Sequence, residues 1–116
     1  MQGSRVLIVE DEMLVAMMLE DMVADMGLVV AGVANRLAEG LSYARSLDLD
    51  AAVLDVNLDG ELSFPIARLL KERSVPFFFA TGYGAKGLDE EFHSTLVVEK
   101  PFNASDLSRA FSAILQ

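Results

Sequence analysis

Five short apolar runs, at residues 6–9 (VLIV), 28–33 (LVVAGV), 51–54 (AAVL), 77–80 (FFFA) and 96–98 (LVV), show no polar alternation. A strand with water on one face alternates apolar and polar side chains, so runs of this kind need cover on both faces, which a parallel sheet between helices provides. The stretches between them carry helical spacing, and the order reads strand then helix, five times. Right-handed crossovers restrict such a chain to an α/β fold with a doubly wound, open five-stranded parallel sheet, (βα)5, of which the strand order 2-1-3-4-5 is the common small version. Residues 1–116 are read as one domain, since the length suits a single core and no linker, repeat or low-complexity segment interrupts it.

Periodicity and caps place the helices. Val15, Met18, Leu19, Met22 and Met26 form a stripe, with Glu20, Asp21 and Asp25 away from it, and Gly27 ends the helix. This methionine-rich helix reads as core and helix-face packing. Asn35 is the expected cap of a second helix carrying Leu37, Leu41 and Ala44. Ser63 is the expected cap of a third, with Pro65 tolerated in its first turn and an end near Arg73. Residues 81–87 (TGYGAKG) read as a mobile glycine-rich loop rather than a phosphate cradle, because no Walker pattern accompanies them. Residues 88–92 leave room for only a short or irregular fourth helix. Asn103 and Asp106 form a capping box for the last helix, whose stripe is Leu107, Ala110, Phe111 and Ile114.

Lys and Arg total 9 against 18 Asp and Glu, so the net charge is −9, which argues against binding to nucleic acid or an anionic membrane. The chain has no cysteine, and only His93 could offer an imidazole, so a zinc site rich in nitrogen or sulfur is unfavoured; His93 reads as a surface residue. No stretch approaches the roughly 18 apolar residues of a membrane span, and the apolar start is far shorter than a signal peptide's. A cytoplasmic protein without membrane insertion is the expectation.

In an open α/β sheet the binding crevice lies beyond the carboxyl ends of the strands, where strand order reverses. Polar residues gather at that edge. The first strand runs into Glu10, Asp11 and Glu12, the third into Asp55 with Asn57 two residues on, the fourth into Thr81 and the fifth into Lys100. Carboxylates so placed would repel one another by roughly 3 kcal/mol per pair at about 5 Å and an effective dielectric near 20. A hard divalent cation such as Mg2+ relieves this, since it takes oxygen ligands and suits one or two carboxylates with a main-chain carbonyl. Glu12 reads more simply as a first-turn carboxylate favoured by the helix dipole. Lys100 and Thr81 stand opposite as anion-stabilising groups, and a phosphoryl group fits between the two sides. Burial of Asp55 at the end of an apolar strand then has a purpose, because a carboxylate can be the nucleophile that accepts that group.

With these motifs in order, "LIVEDE" after the first strand, "AVLDVNLDG" at the third, Thr81 at the fourth and "EKPF" at the fifth, the sequence resembles a response-regulator receiver domain of two-component signalling. The resemblance spans essentially the whole chain and implies a flavodoxin-like receiver fold. It implies that Glu10 and Asp11 are the acidic pair around Mg2+, that Asp55 is the phosphorylated residue, and that Asn57 gives its main-chain carbonyl to the metal. It further implies that Thr81 bonds a phosphoryl oxygen, that Lys100 pairs with the phosphoryl group, and that the Lys100–Pro101 bond is cis. "PFFFATGYG" resembles the FATGUY subclass of single-domain receivers, often associated with kinases of the HWE type. The implied partners are a sensor histidine kinase and a downstream protein or phosphotransferase, with homodimerisation left open.

The sequence departs from the family in three places. Val97 holds the position of the usual rotating Tyr or Phe, and Tyr83, two residues after Thr81, is the candidate to replace it. The interval from Thr81 to Lys100 is short. Asp59 stands where proline is common. Competing readings are a pseudo-receiver that binds partners regardless of phosphate and a haloacid-dehalogenase-like phosphatase. The latter wants a second carboxylate where Asn57 stands. A flavin carrier is disfavoured because "EDE" would repel its phosphate.

Overall fold

The computed structural model describes residues 2–82 and 87–115. In chain order the elements are β1 (Arg5–Val9), α1 (Met13–Asp25), β2 (Val29–Ala34), α2 (Leu37–Ser46), β3 (Ala51–Leu54), β4 (Asn57–Leu58) and β5 (Glu61–Leu62). They continue with α3 (Phe64–Glu72), β6 (Phe77–Thr81), a 3-10 turn at Glu90–Phe92, β7 (Val97–Glu99) and α4 (Ala104–Ile114). Five strands form one sheet in the order β2-β1-β3-β6-β7, every neighbouring pair parallel. Counted among the sheet strands alone, this is the expected 2-1-3-4-5. Where a fourth helix would lie, the described residues form only the 3-10 turn.

Side chains alternate across each strand, so the sheet supplies two cores. Leu7, Val9, Ala52, Leu54, Phe77 and Phe79 face α2 and α3; Val6, Ile8, Val53, Phe78 and Ala80 face α1 and α4. Gly40 lets α2 lie close on α3, because a Cβ there would overlap Ile66. Phe92, from the 3-10 turn, closes the first core. Its ring stacks on Phe64 at 5.4 Å and meets Phe77 and Phe79 edge-on at 6.2 and 5.6 Å. Arg68 of α3 reaches over this ring and pairs with Asp89 and Glu91, fastening the turn to the helix.

Several expectations need correction. Cover on both faces holds for β1, β3 and β6, whereas β2 and β7 are largely half-exposed because they are the sheet's edges. The buried stripe of α1 is Ala16, Leu19 and Val23, while Met18 is 38% exposed and Met13, Leu14 and Met17 more so. The apolar arc of that helix is wider than the arc the sheet can cover. Asn35 does not cap α2: Arg36 occupies that position with no side-chain cap, and the Asn35 amide is committed elsewhere, to the Glu10 carbonyl. Ser63 does stand at the start of α3, but its hydroxyl makes no cap bond and is buried without a partner. Its main-chain carbonyl receives the Ile66 and Ala67 N–H groups instead. The capping box of α4 forms in both directions, Asp106 N–H to Asn103 Oδ1 at 2.8 Å and Asn103 N–H to Asp106 Oδ2 at 3.0 Å. Among the described residues, no helix is long and apolar enough to cross a membrane. Tyr83 and Gly84, in the glycine-rich loop, lie outside the described residues.

Candidate functional site

The carboxyl ends of β1, β3, β6 and β7 converge on one edge. Main-chain bonds tie these ends together: Glu10 N–H donates to Ala34 O at 2.9 Å, Asp55 N–H to Val9 O at 2.8 Å and Lys100 N–H to Thr81 O at 2.9 Å. Each residue just past its strand is thereby held in register with its neighbour. The Asn35 amide adds a 2.9 Å bond to the Glu10 carbonyl. The Lys100–Pro101 peptide bond is cis.

Glu10 is fully buried and Asp55 is 8% exposed. Between them lies the Lys100 ammonium, 2.5 Å from Glu10 Oε1 and 3.2 Å from Asp55 Oδ2. The second Glu10 oxygen accepts the Glu12 N–H at 3.0 Å. Asp11 lies alongside and accepts the Asp59 N–H at 3.1 Å. One carboxylate oxygen from each of Glu10, Asp11 and Asp55 falls within 4.8 Å of the others. Asn57, exposed, opens a two-stranded hairpin of β4 and β5, and its side-chain oxygen accepts the Gly60 N–H at 2.7 Å. Thr81 is buried at the end of β6. Asp11, Glu12, Asp55, Asn57, Asp59, Gly82 and Lys100 line a polar cleft of about 310 Å³.

Of the residues singled out in the sequence, Asp11, Asp55, Asn57 and Lys100 thus share one cleft. Glu10 sits beneath it, in contact with Lys100, and Thr81 does not line it. Asp59 and Gly82 were not foreseen there. The Asp-Gly pair at 59–60 between Leu58 and Leu62 is a hairpin signal that locates Asp59.

One cation serves two buried acids. Burial pushes the Glu10 carboxyl up to about 7, against the pull of its hydrogen bonds to Lys100 and the Glu12 N–H. Burial likewise raises Asp55, opposed by the Lys100 charge. Burial pulls the Lys100 ammonium down, but its hydrogen bond to Glu10 and the charge of Asp55 outweigh that, and it stays above its ordinary value. Three clustered carboxyl groups thus have Lys100 as the cation beside them. An all-oxygen donor set with clustered carboxylates and no sulfur or imidazole fits a hard divalent cation, a class to which Mg2+ belongs. Glu10, Asp11 and Asp55 are the side chains that would hold it.

The Glu10 shift has a measurable sign. Its folded-state value lies above the ordinary 4.5, so the native protein keeps a proton that the unfolded chain releases. Stability from this group is complete below pH 4.5 and is lost as pH rises through about 7. Urea unfolding in EDTA is expected to show a falling free energy from about pH 5 to about pH 8, with Mg2+ reducing the fall. A flat or rising profile contradicts it.

The family model for the response regulator receiver domain matches residues 6–112. Over 117 aligned residues the chain is 34% identical to the phyllosphere-induced regulator PhyR of Methylorubrum extorquens, covering 97% of this chain and 44% of that protein. The chain thus spans less than half the length of this curated relative. The solution structure of SdrG from Sphingomonas melonis Fr1 superposes with a TM-score of 0.87 at 40% identity, covering 98% of both chains. The BeF3-activated conformation of SdrG from Pseudomonas melonis Fr1 gives a TM-score of 0.83 at 38% identity over the full length of both.

Proposed function

The chain belongs to the response regulator receiver family, and from that membership we propose that Asp55 accepts a phosphoryl group from the phosphohistidine of a sensor kinase. The observation that supports it most is the placement of Asp55, almost buried, with Lys100 Nζ 3.2 Å away and the carboxylates of Glu10 and Asp11 beside it. An Asp55 oxygen attacks phosphorus, the phosphorus–nitrogen bond to the histidine breaks, and the imidazole leaves as the acyl phosphate forms. Phosphoryl transfer asks the protein mainly for alignment and charge neutralisation. Lys100 would turn from Asp55 to the transferred group, and the Thr81 hydroxyl would bond one of its oxygens. Glu10, Asp11, Asp55 and the Asn57 main-chain carbonyl would hold Mg2+, which would supply charge neutralisation at the phosphoryl oxygens. The SdrG structure in a BeF3-activated conformation supports the same reading for a chain of matching length and fold.

The outcome of phosphorylation is altered binding to a further protein, or onward transfer of the phosphoryl group, in the cytoplasm. Val97, at the place of the family's rotating aromatic, is half-buried against the first core beside Phe79 and has no ring to swing outward.

Incubation with labelled acetyl phosphate or a phosphorylated histidine kinase tests the proposal. The expected product is acid-stable, alkali-labile, dependent on Mg2+ and abolished by EDTA, with peptide mapping placing it on Asp55. No label, or label on another residue, refutes it.

A further inference from the structure

We propose that the Asp59–Gly60 turn is a positioning device for the metal site: its main-chain N–H holds the Asp11 carboxylate ready to meet Mg2+. The inference rests on the receiver reading above and adds a role for residues that the phosphoryl chemistry leaves unused. β4 and β5 pair antiparallel, Asn57 with Leu62 and Leu58 with Glu61, leaving Asp59 and Gly60 as a two-residue loop. Both lie at positive φ, 53° and 92°, as the tight type I′ hairpin turn requires. That geometry turns the Asp59 N–H onto Asp11 Oδ2 at 3.1 Å, a contact across 48 residues of sequence. The same turn aims the Gly60 N–H at Asn57 Oδ1, so the Asn57 side chain is committed to the loop and its main-chain carbonyl is what it can offer a metal.

Asp11 is only half-buried, and a carboxylate there would otherwise sample several rotamers. Holding one oxygen before the ion arrives removes an ordering cost from binding and leaves the other oxygen as a ligand. Proline, common at this position in the family the sequence resembles, has no N–H and a φ near −65°, so it could not make this bond. The tether is therefore a property of the Asp-Gly turn. The Asp59 side chain is not what performs it.

Mg2+ titrations followed by amide chemical shifts and by calorimetry, with melting measured in EDTA on the same samples, test this on wild type, Asp59→Asn, Asp59→Gly and Asp59→Pro. Asn and Gly keep the N–H and tolerate positive φ but each removes one carboxylate from the cleft, so both are expected to weaken Mg2+ binding equally, by about twofold. Asp59→Pro is expected to bind roughly 10-fold more weakly. If Asp59→Pro does not fold, a semisynthetic chain with an ester in place of the Asp59 amide removes the same N–H and carries the same expectation. A Pro or ester protein that merely melts lower, with unchanged Mg2+ affinity, overturns the inference. So does an equal loss in Asn, Gly and Pro, which would assign the effect to the carboxylate. Absence of Mg2+ binding by the wild type overturns the receiver reading itself and this inference with it.

Discussion

The Asp55→Asn protein is expected to take no label from acetyl phosphate or from a phosphorylated kinase, yet to melt higher than the wild type in EDTA. The two effects have one origin. Asn matches Asp in shape, but its amide is no nucleophile at phosphorus, so the acyl phosphate cannot form and the loss is complete. In the metal-free protein the Asp55 carboxylate is a cost. It is nearly buried, its carboxyl is raised by that burial, and it competes with Glu10 for a single ammonium. A neutral amide removes that competition, while its oxygen still accepts from Lys100. The expected gain is a few degrees in Tm, which about 1 kcal/mol produces in a domain of this size. Saturating Mg2+ should narrow the gap, because the wild-type carboxylate then has a cation to bind. Label on the variant, or a melting point well below wild type, would count against this account of the site.

Phe92→Ala is expected to cost about 3–5 kcal/mol, the largest stability loss of any substitution considered for this protein. The ring is fully buried, touches Phe64, Phe77 and Phe79, and lies beneath Arg68 and Lys71. Truncation would leave a cavity lined by three aromatic rings that α3 and β6 hold too firmly to collapse. It would also release the main anchor that fastens the 3-10 turn to α3, leaving buried Leu88 and the exposed Arg68 pairs with Asp89 and Glu91, which contribute little alone. Urea unfolding checks this: a loss below about 1 kcal/mol would show that the turn is not part of the cooperative core.

The sheet was legible because its signal is redundant. Five apolar runs, the glycine after α1 and the Asn103–Asp106 box each point to the same alternation, and the sheet order followed from chirality rules. The convergence of polar residues at one edge was legible for the same reason, since topology alone decides which strand ends meet. What escaped was decided by tertiary competition. Asn35 has the chemistry of a cap, but a carbonyl at the end of β1 lies within its reach and takes the amide. Met18 fits the helical stripe of α1, yet the sheet beneath is too narrow to cover it. β4 and β5 are two residues each, too short for periodicity to register; the Asp-Gly pair was visible, and only the fold shows that its N–H turns toward Asp11. Burial of Thr81 beneath the cleft likewise depends on β6 lying inside the sheet.

The bond from Lys100 to Glu10 joins positions 90 residues apart. Contacts of such separation close late, after the local parts of a domain have formed. A chain that ended at β6 would own Glu10, Asp11 and Asp55 without the Lys100 ammonium that pairs with two of them. The ion pairs that balance these acids therefore wait for the residue that follows the last strand.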